Sequence, residues 1–190
     1  MKKSLILSIV MLGVLFTPKV LAQEGSLSLL ATGKYFSVYG SRKLDVVSLL
    51  SKINFSYLGN VDSFFGKQKN DSYSLIAQAM DDLYLEVSDI LDIHVYSFHG
   101  KISILPDQSS LSSVFSSYFG SSFPERSFYL HSKNTIYISY QDLTLGMLGH
   151  EMAHAVISHY FAVPPPAKVQ EVLCGYVEYT LLKKAKNRIP

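Results

Sequence analysis

Residues 148–161 read LGHEMAHAVISHYF, and this stretch decides both the fold and the chemistry that the sequence predicts. The pattern over residues 143–161 is helical and unusually apolar. The prolines at 164–166 then end the helix, because three consecutive prolines cannot continue one. We expect a second helix to begin at Ala167 or Lys168 and to run to about Lys184.

The five residues His150-Glu151-Met152-Ala153-His154 place two histidines four positions apart. On a helix such positions lie about 40° apart around the axis, so both imidazoles project from one face. Two neutral imidazole nitrogens placed in this way can bind one Zn²⁺. Zn²⁺ lowers the pKa of a water that it binds, and a carboxylate at Glu151 could accept the proton from that water. These residue types fit hydrolysis of a peptide or a similar acyl bond.

The third metal ligand decides the kind of zinc site. The extended pattern HExxHxxGxxH requires glycine at 157 and histidine at 160, where this chain has Ile157 and Tyr160. His159 would lie about 140° around the helix from His154, which favours a role outside the site. Glu171, near the start of the second helix, is the better candidate. With it the site would be His₂Glu with an open fourth position, as a hydrolytic zinc site needs.

Four residues of the second helix share a face with one another: Glu171, Cys174, Gly175 and Glu178. We expect Gly175 to let the two helices approach closely. Glu178 could hydrogen-bond a ligand histidine, or it could be an ordinary exposed acid, and the sequence leaves both open. Cys174 is the only cysteine, so no intramolecular disulfide can form, and we expect it to be a small core residue.

The N-terminus has the pattern of an export signal. Lysines at positions 2 and 3 precede an apolar run over 5–16, and small residues precede a predicted cut before Gln23. We therefore expect a signal peptide at 1–22, a single domain at 23–190, and a periplasmic or secreted protein without stable membrane insertion after cleavage. An uncleaved anchor is the alternative. The signal holds three of the 17 basic residues and none of the 15 acidic ones, so the mature chain carries 14 − 15 = −1. This net charge does not indicate nucleic-acid binding, and the sequence contains no basic patch that would.

The rest of the chain predicts an α+β fold. We expect a small, mostly antiparallel sheet that packs on the active-site helix and on a long helix at 72–91. Residues 23–33 look like a leader of the mature chain. The predicted strands lie at about 34–40, 101–105, 127–131 and 134–140, and further helices are predicted at 44–58 and 109–119.

The run at 148–161, the three prolines and VQEVLCGYVEY at 169–179 together resemble the gluzincin (peptidase-MA-like) zinc metallopeptidases. The resemblance is specific over about 134–180 and looser over 33–131. It implies a zincin-like fold and a zinc peptidase that acts on peptides or proteins. It also implies that His150 and His154 are ligands, Glu151 the general base and Glu171 the third ligand. The strand TIYISY at 135–140 would then line the cleft.

The chain also departs from this family. Larger members supply a tyrosine or histidine that stabilises the oxyanion, and the candidates here are Tyr137, Tyr140 and Tyr160. Each of them can equally be a core or surface residue. A catalytically weak or inactive zincin-fold binding module is therefore the alternative function, and a structural domain without metal is a third reading.

Overall fold

The computed structural model describes residues 27–54, 72–121 and 125–187. The predicted signal peptide at 1–22 and the end of the helix predicted at 44–58 lie outside these residues. None of the described helices is long and apolar enough to cross a membrane. The strands are β1 (Ser28–Thr32), β2 (Phe36–Gly40), β3 (Gly100–Leu105), β4 (Ser127–Leu130) and β5 (Thr135–Ser139). The α-helices are α1 (Val46–Lys52), α2 (Ser72–Leu91), α3 (Gln108–Phe119), α4 (Leu145–Tyr160) and α5 (Ala167–Asn187).

The predicted α+β class is confirmed, but the prediction of a mostly antiparallel sheet is wrong. The five strands lie in the order β1-β2-β3-β5-β4. β2 pairs parallel with β3, and β3 pairs parallel with β5. Only the outer pairs, β1 with β2 and β4 with β5, are antiparallel. The cause is connectivity. Helices lie between β2 and β3, and this crossover returns the chain in a parallel direction. After α3 the chain enters β4, and the turn at 131–134 then reverses it into β5, which is therefore parallel to β3.

The segment predicted to be a leader, 23–33, contains β1. This strand pairs with β2, with an irregularity in register between Leu29 and Ala31. Two predictions about helices are confirmed. The predicted helix at 72–91 has the bounds of α2. α3 ends at Gly120 in the left-handed conformation, as a C-terminal glycine favours.

The sheet has a different core on each face. In β5 the fully buried Ile136 and Ile138 belong to the main core, to which α2 and α4 contribute. Tyr137 points to the opposite face, where it packs with Leu111 and Val114 of α3. The alternation of side chains along a strand thus separates the face that supports α4 from the face that supports α3.

The helices α4 and α5 approach closely, but at glycines of α4 rather than at Gly175. A Cβ added to Gly149 would lie 2.1 Å from Leu181 Cδ1, and one added to Gly146 would lie 3.0 Å from Glu178 Cγ. A Cβ at Gly175 would meet nothing within 4 Å. The prediction that Gly175 permits the approach is therefore wrong, although the close approach itself is present.

We expect Gly149→Ala to lower the free energy of unfolding by about 1–3 kcal/mol, because the added methyl must displace the fully buried Leu181. Gly175→Ala is the matched control. It adds the same methyl in open space on a helix, and we expect it to be neutral or to stabilise by up to about 1 kcal/mol. Urea denaturation of both variants measures the difference. Equal effects of the two substitutions would contradict this packing.

Candidate metal centre

The helix α4 carries the two histidines of the motif on one face. Its first turn is capped by Thr144, whose side-chain oxygen accepts a hydrogen bond from the Met147 backbone N–H at 3.3 Å. The imidazole rings of His150 and His154 have centroids 5.1 Å apart. Both side chains are mostly buried, with 22% and 18% of their surface exposed. The helical spacing thus places the rings next to each other, as the sequence predicts.

The start of α5 places Glu171 against both histidines. The Pro166 carbonyl accepts hydrogen bonds from the backbone N–H groups of Val169 and Gln170, so the prolines that end α4 also begin α5. Glu171 Oε2 lies 3.4 Å from His150 Nε2, and its Oε1 lies 3.4 Å from His154 Nε2. Two nitrogen or oxygen ligands at 2.0–2.1 Å from a tetrahedral Zn²⁺ are about 3.4 Å apart. Each histidine nitrogen therefore lies at this spacing from one carboxylate oxygen of Glu171.

Glu178 lies on the other side of the His150 ring. Its Oε2 is 3.4 Å from His150 Nδ1, while the opposite ring nitrogen faces Glu171. A carboxylate in this position can accept a hydrogen bond from Nδ1–H, which would leave the lone pair on Nε2 for a metal. Glu178 lies about two helical turns beyond Glu171 along α5. The close packing of α5 on Gly146 brings its carboxylate to the His150 ring.

Cys174 offers a competing third ligand. Its Sγ and one nitrogen each from His150 and His154 all lie within 4.8 Å of one another, and the thiol is fully buried. Burial is the main cause that raises the pKa of the Cys174 thiol, and the carboxylates of Glu171 and Glu151 raise it further. Without a metal the thiol is therefore protonated at neutral pH, and a metal that bound it would have to displace its proton. We favour Glu171, because its carboxylate oxygens lie 3.4 Å from both histidines.

The protonation state of His154 also suits a metal ligand. Burial lowers the pKa of His154, and the neighbouring His150 lowers it further, against the opposing effect of Glu171. The imidazole is therefore held in its neutral form at neutral pH. Neutral imidazole is the form that binds a metal.

Glu151 projects into the interior beside the sheet and is 6% exposed. Ser127 Oγ donates a hydrogen bond of 2.7 Å to its Oε1. Burial raises the pKa of the Glu151 carboxyl to about 7, and the hydrogen bond from Ser127 and the charge of His150 only partly oppose this. A carboxyl with a pKa near neutrality can both accept and release a proton under physiological conditions.

The histidines and acids open into a cleft of about 940 Å³ between α4, α5 and β4. Its lining residues are Glu125, Arg126, Ser127, Phe128, Tyr129, His131, Met147, His150, Glu151, His154, Ser158, Gln170, Glu171 and Glu178. The strand of this cleft is β4, which lies at the edge of the sheet. The prediction that the TIYISY strand lines the cleft is therefore wrong: β5 lies inside the sheet, between β3 and β4.

The three tyrosines considered for the oxyanion are not among the residues that line this cleft. Tyr137 is buried on the opposite face of the sheet, where its ring stacks on Phe128. Tyr140 contacts Lys52, whose ammonium lies 5.3 Å from the ring centroid. Tyr160 is 55% exposed at the end of α4. His159, also excluded from the ligand set, lies outside the cleft lining and packs on Phe98.

The sequence did not predict the contribution of β4 and the residues on either side of it, which supply four polar side chains to the cleft. Besides Ser127 these are Arg126, Tyr129 and His131. The Tyr129 hydroxyl donates a hydrogen bond of 2.9 Å to Asn134 Oδ1, so its proton is already engaged. Arg126 and His131 are exposed polar donors at the same cleft. The strand itself was predicted, but nothing local to it signals that it lies against α4.

No protein-family model, no curated protein and no solved structure matches this chain. The resemblance to gluzincins thus rests on the motif residues of the sequence.

The burial of Glu151 gives a pH dependence that a single substitution can isolate. A carboxyl whose pKa is raised from 4.5 to about 7 by folding stabilises the folded state while protonated, and this stabilisation is lost as the pH rises through about 7. Between pH 4.5 and 7.5 we expect the unfolding free energy of metal-free wild type to fall by about 2 kcal/mol more than that of Glu151→Gln. Urea denaturation in chelator at several pH values measures this, and parallel pH profiles would contradict it.

Proposed function

We propose that the chain is an exported, zinc-dependent metallopeptidase of the gluzincin type. The observation that carries the proposal is the position of Glu171, with its two carboxylate oxygens each 3.4 Å from a different histidine of the motif. Export rests on the N-terminal pattern at 1–22, and a zincin-like fold rests on a metal-binding helix packed beneath a mixed sheet.

Several features of the donor set support zinc. Two imidazoles and a carboxylate are ligands that Zn²⁺ accepts, and three protein ligands leave a fourth position open for catalysis. Bound there, Zn²⁺ would supply a Lewis acid that polarises a carbonyl and acidifies water. Glu178 would keep the His150 ring in the orientation that presents Nε2 to the metal.

Glu151 has the chemistry of a general base that later acts as an acid. The carboxylate would accept a proton from the attacking water and deliver it to the leaving amine. A pKa of about 7 makes both transfers feasible near neutral pH. The Ser127 hydroxyl, which donates to Oε1, and the backbone N–H of Tyr129 would hold the carboxylate in one orientation.

An extended peptide is the substrate that best fits the cleft. β4 is an edge strand that lines one wall, and an edge strand can pair with an incoming extended chain through backbone hydrogen bonds. The opposite wall carries the ligand residues. A peptide bound along β4 would therefore pass in front of the metal centre and Glu151.

Stabilisation of the oxyanion would fall to donors other than the three tyrosines. Arg126 and His131 line the same cleft and carry N–H donors, whereas Tyr137, Tyr140 and Tyr160 do not line it. Arg126 is also paired with Asp142 at 3.6 Å, which would restrict its motion. Because neither donor is buried, a catalytically weak or inactive binding module is the second candidate function.

Peptide cleavage by three variants separates these functions. We expect Glu151→Gln to keep stoichiometric zinc and to lower kcat for an unstructured protein such as casein by at least about 100-fold, because it removes the base alone. His150→Ala should lose the zinc and the activity together, while His94→Ala, at a histidine that contacts Asp89 and Tyr96 outside the cleft, should keep both.

If the chain is an inactive binding module, the same assay should give a different result. Zinc-loaded wild type and Glu151→Gln would then cleave at the same background rate, and this result would overturn the peptidase proposal. Wild type without zinc would overturn the metal centre as well.

A further inference from the structure

A second cavity lies on the far face of the sheet, away from the metal centre. It has a volume of about 270 Å³. Its lining residues are Leu27, Tyr39, Lys101, Ser103, Tyr118, Lys133, Thr135 and Tyr137. None of them lines the cleft of the metal centre. The volume is just below the range of about 300–1,000 Å³ that is usual for small-molecule sites, so the occupant must be small.

The sheet register builds the floor of this cavity from side chains of three adjacent strands. Tyr39 of β2 is paired with Ser103 of β3, and Ser103 is paired with Tyr137 of β5. Paired residues on neighbouring strands project to the same face, so the serine lies between two tyrosine rings. In the next row Lys101 is paired with Thr135. The floor is thus a fixed array on the central strands rather than a set of mobile loop residues.

Ser103 is the group on this floor whose hydrogen-bonding capacity is unused. Its side chain is more than nine-tenths buried, at 8% exposure, and it faces the cavity. No side-chain hydrogen bond to it occurs among the described residues, whereas Thr135 Oγ1 donates to the Lys133 carbonyl at 2.8 Å. A polar group bound in the cavity could therefore form a hydrogen bond with this hydroxyl.

Among the described residues, the charged side chains that line the cavity are both positive. The lining residues include two lysines and no acid. Lys101 and Lys133 are exposed, and neither takes part in an ion pair within the described parts of the chain. Two unpaired ammonium groups beside a floor of hydroxyls favour an anion that also carries hydroxyl groups. The rings of Tyr39 and Tyr137 would supply the flat, apolar walls for its carbon skeleton.

We propose that this cavity, which we call the far-face pocket, binds a small hydroxylated organic anion of about monosaccharide size. Lys101 and Lys133 contact its acidic group, a carboxylate or a phosphate ester, and Ser103 hydrogen-bonds a hydroxyl of its body. The pocket lies on the opposite face from the cleft and shares no residue with it. The proposal therefore stands or falls independently of the peptidase function.

Nuclear magnetic resonance titration of the ¹⁵N-labelled chain tests this proposal. The probes are glucuronate for the carboxylate, glucose 6-phosphate for the phosphate ester, and glucose as the neutral control of the same size. We expect at least one anion to shift the amide signals of Ser103 and Thr135 saturably, with an affinity about tenfold or more above that of glucose. If one anion binds, it identifies the acidic group, and binding of both shows that the pocket accepts either a carboxylate or a phosphate ester.

Two charge-removing variants complete the experiment. The double variant Lys101→Met/Lys133→Met should weaken anion binding about tenfold, while Lys43→Met, which removes an exposed lysine outside the pocket, should leave it within about twofold. The proposal is overturned if neither anion binds saturably, if glucose binds as tightly as the anions, or if the double variant and Lys43→Met behave alike. All three lysines are exposed, so these variants should fold as wild type does.

Discussion

The close packing of α5 on the glycines of α4 is the interaction on which the candidate site depends. The motif helix supplies His150 and His154 by its own periodicity, but the two carboxylates that face them belong to α5. They reach the rings only because α4 has no side chain at Gly146 and Gly149, where Glu178 and Leu181 of α5 fit. Leu181 is fully buried in this contact. This close contact between α4 and α5 thus places the carboxylates of one helix beside the histidines of the other.

The second constraint is the burial of Glu151 against β4. A carboxyl removed from water in this way favours its protonated form, which costs stability at neutral pH, and one hydrogen bond from Ser127 offsets only part of that cost. Such a residue is hard to explain as a contribution to folding. The same burial raises its pKa to about 7, which suits the proton acceptor and donor that we propose for this residue. β4 therefore both hydrogen-bonds this carboxyl and forms one wall of the cleft.

Local sequence patterns predicted what is local in this structure. The spacing of the two histidines, the helix α2, the proline break and the glycine cap of α3 all follow from short-range periodicity and backbone chemistry. What depends on distant parts of the chain was not predicted. Side-chain alternation shows that β5 is a strand but not that it lies inside the sheet, so the wall of the cleft was assigned to the wrong strand. Gly149 and Gly175 are both helical glycines, and only the position of Leu181 reveals which one the packing requires.

Zinc X-ray absorption spectroscopy of the purified, zinc-loaded chain tests the central claim most directly, because it distinguishes oxygen from sulfur at the third ligand position. We expect a shell of nitrogen and oxygen at about 2.0–2.1 Å, with the scattering of two imidazoles and no sulfur shell at about 2.3 Å. That result would agree with His150, His154 and Glu171 as the ligands. A sulfur shell would instead assign Cys174 to the metal, and a chain that retains no stoichiometric zinc would contradict the metal centre itself.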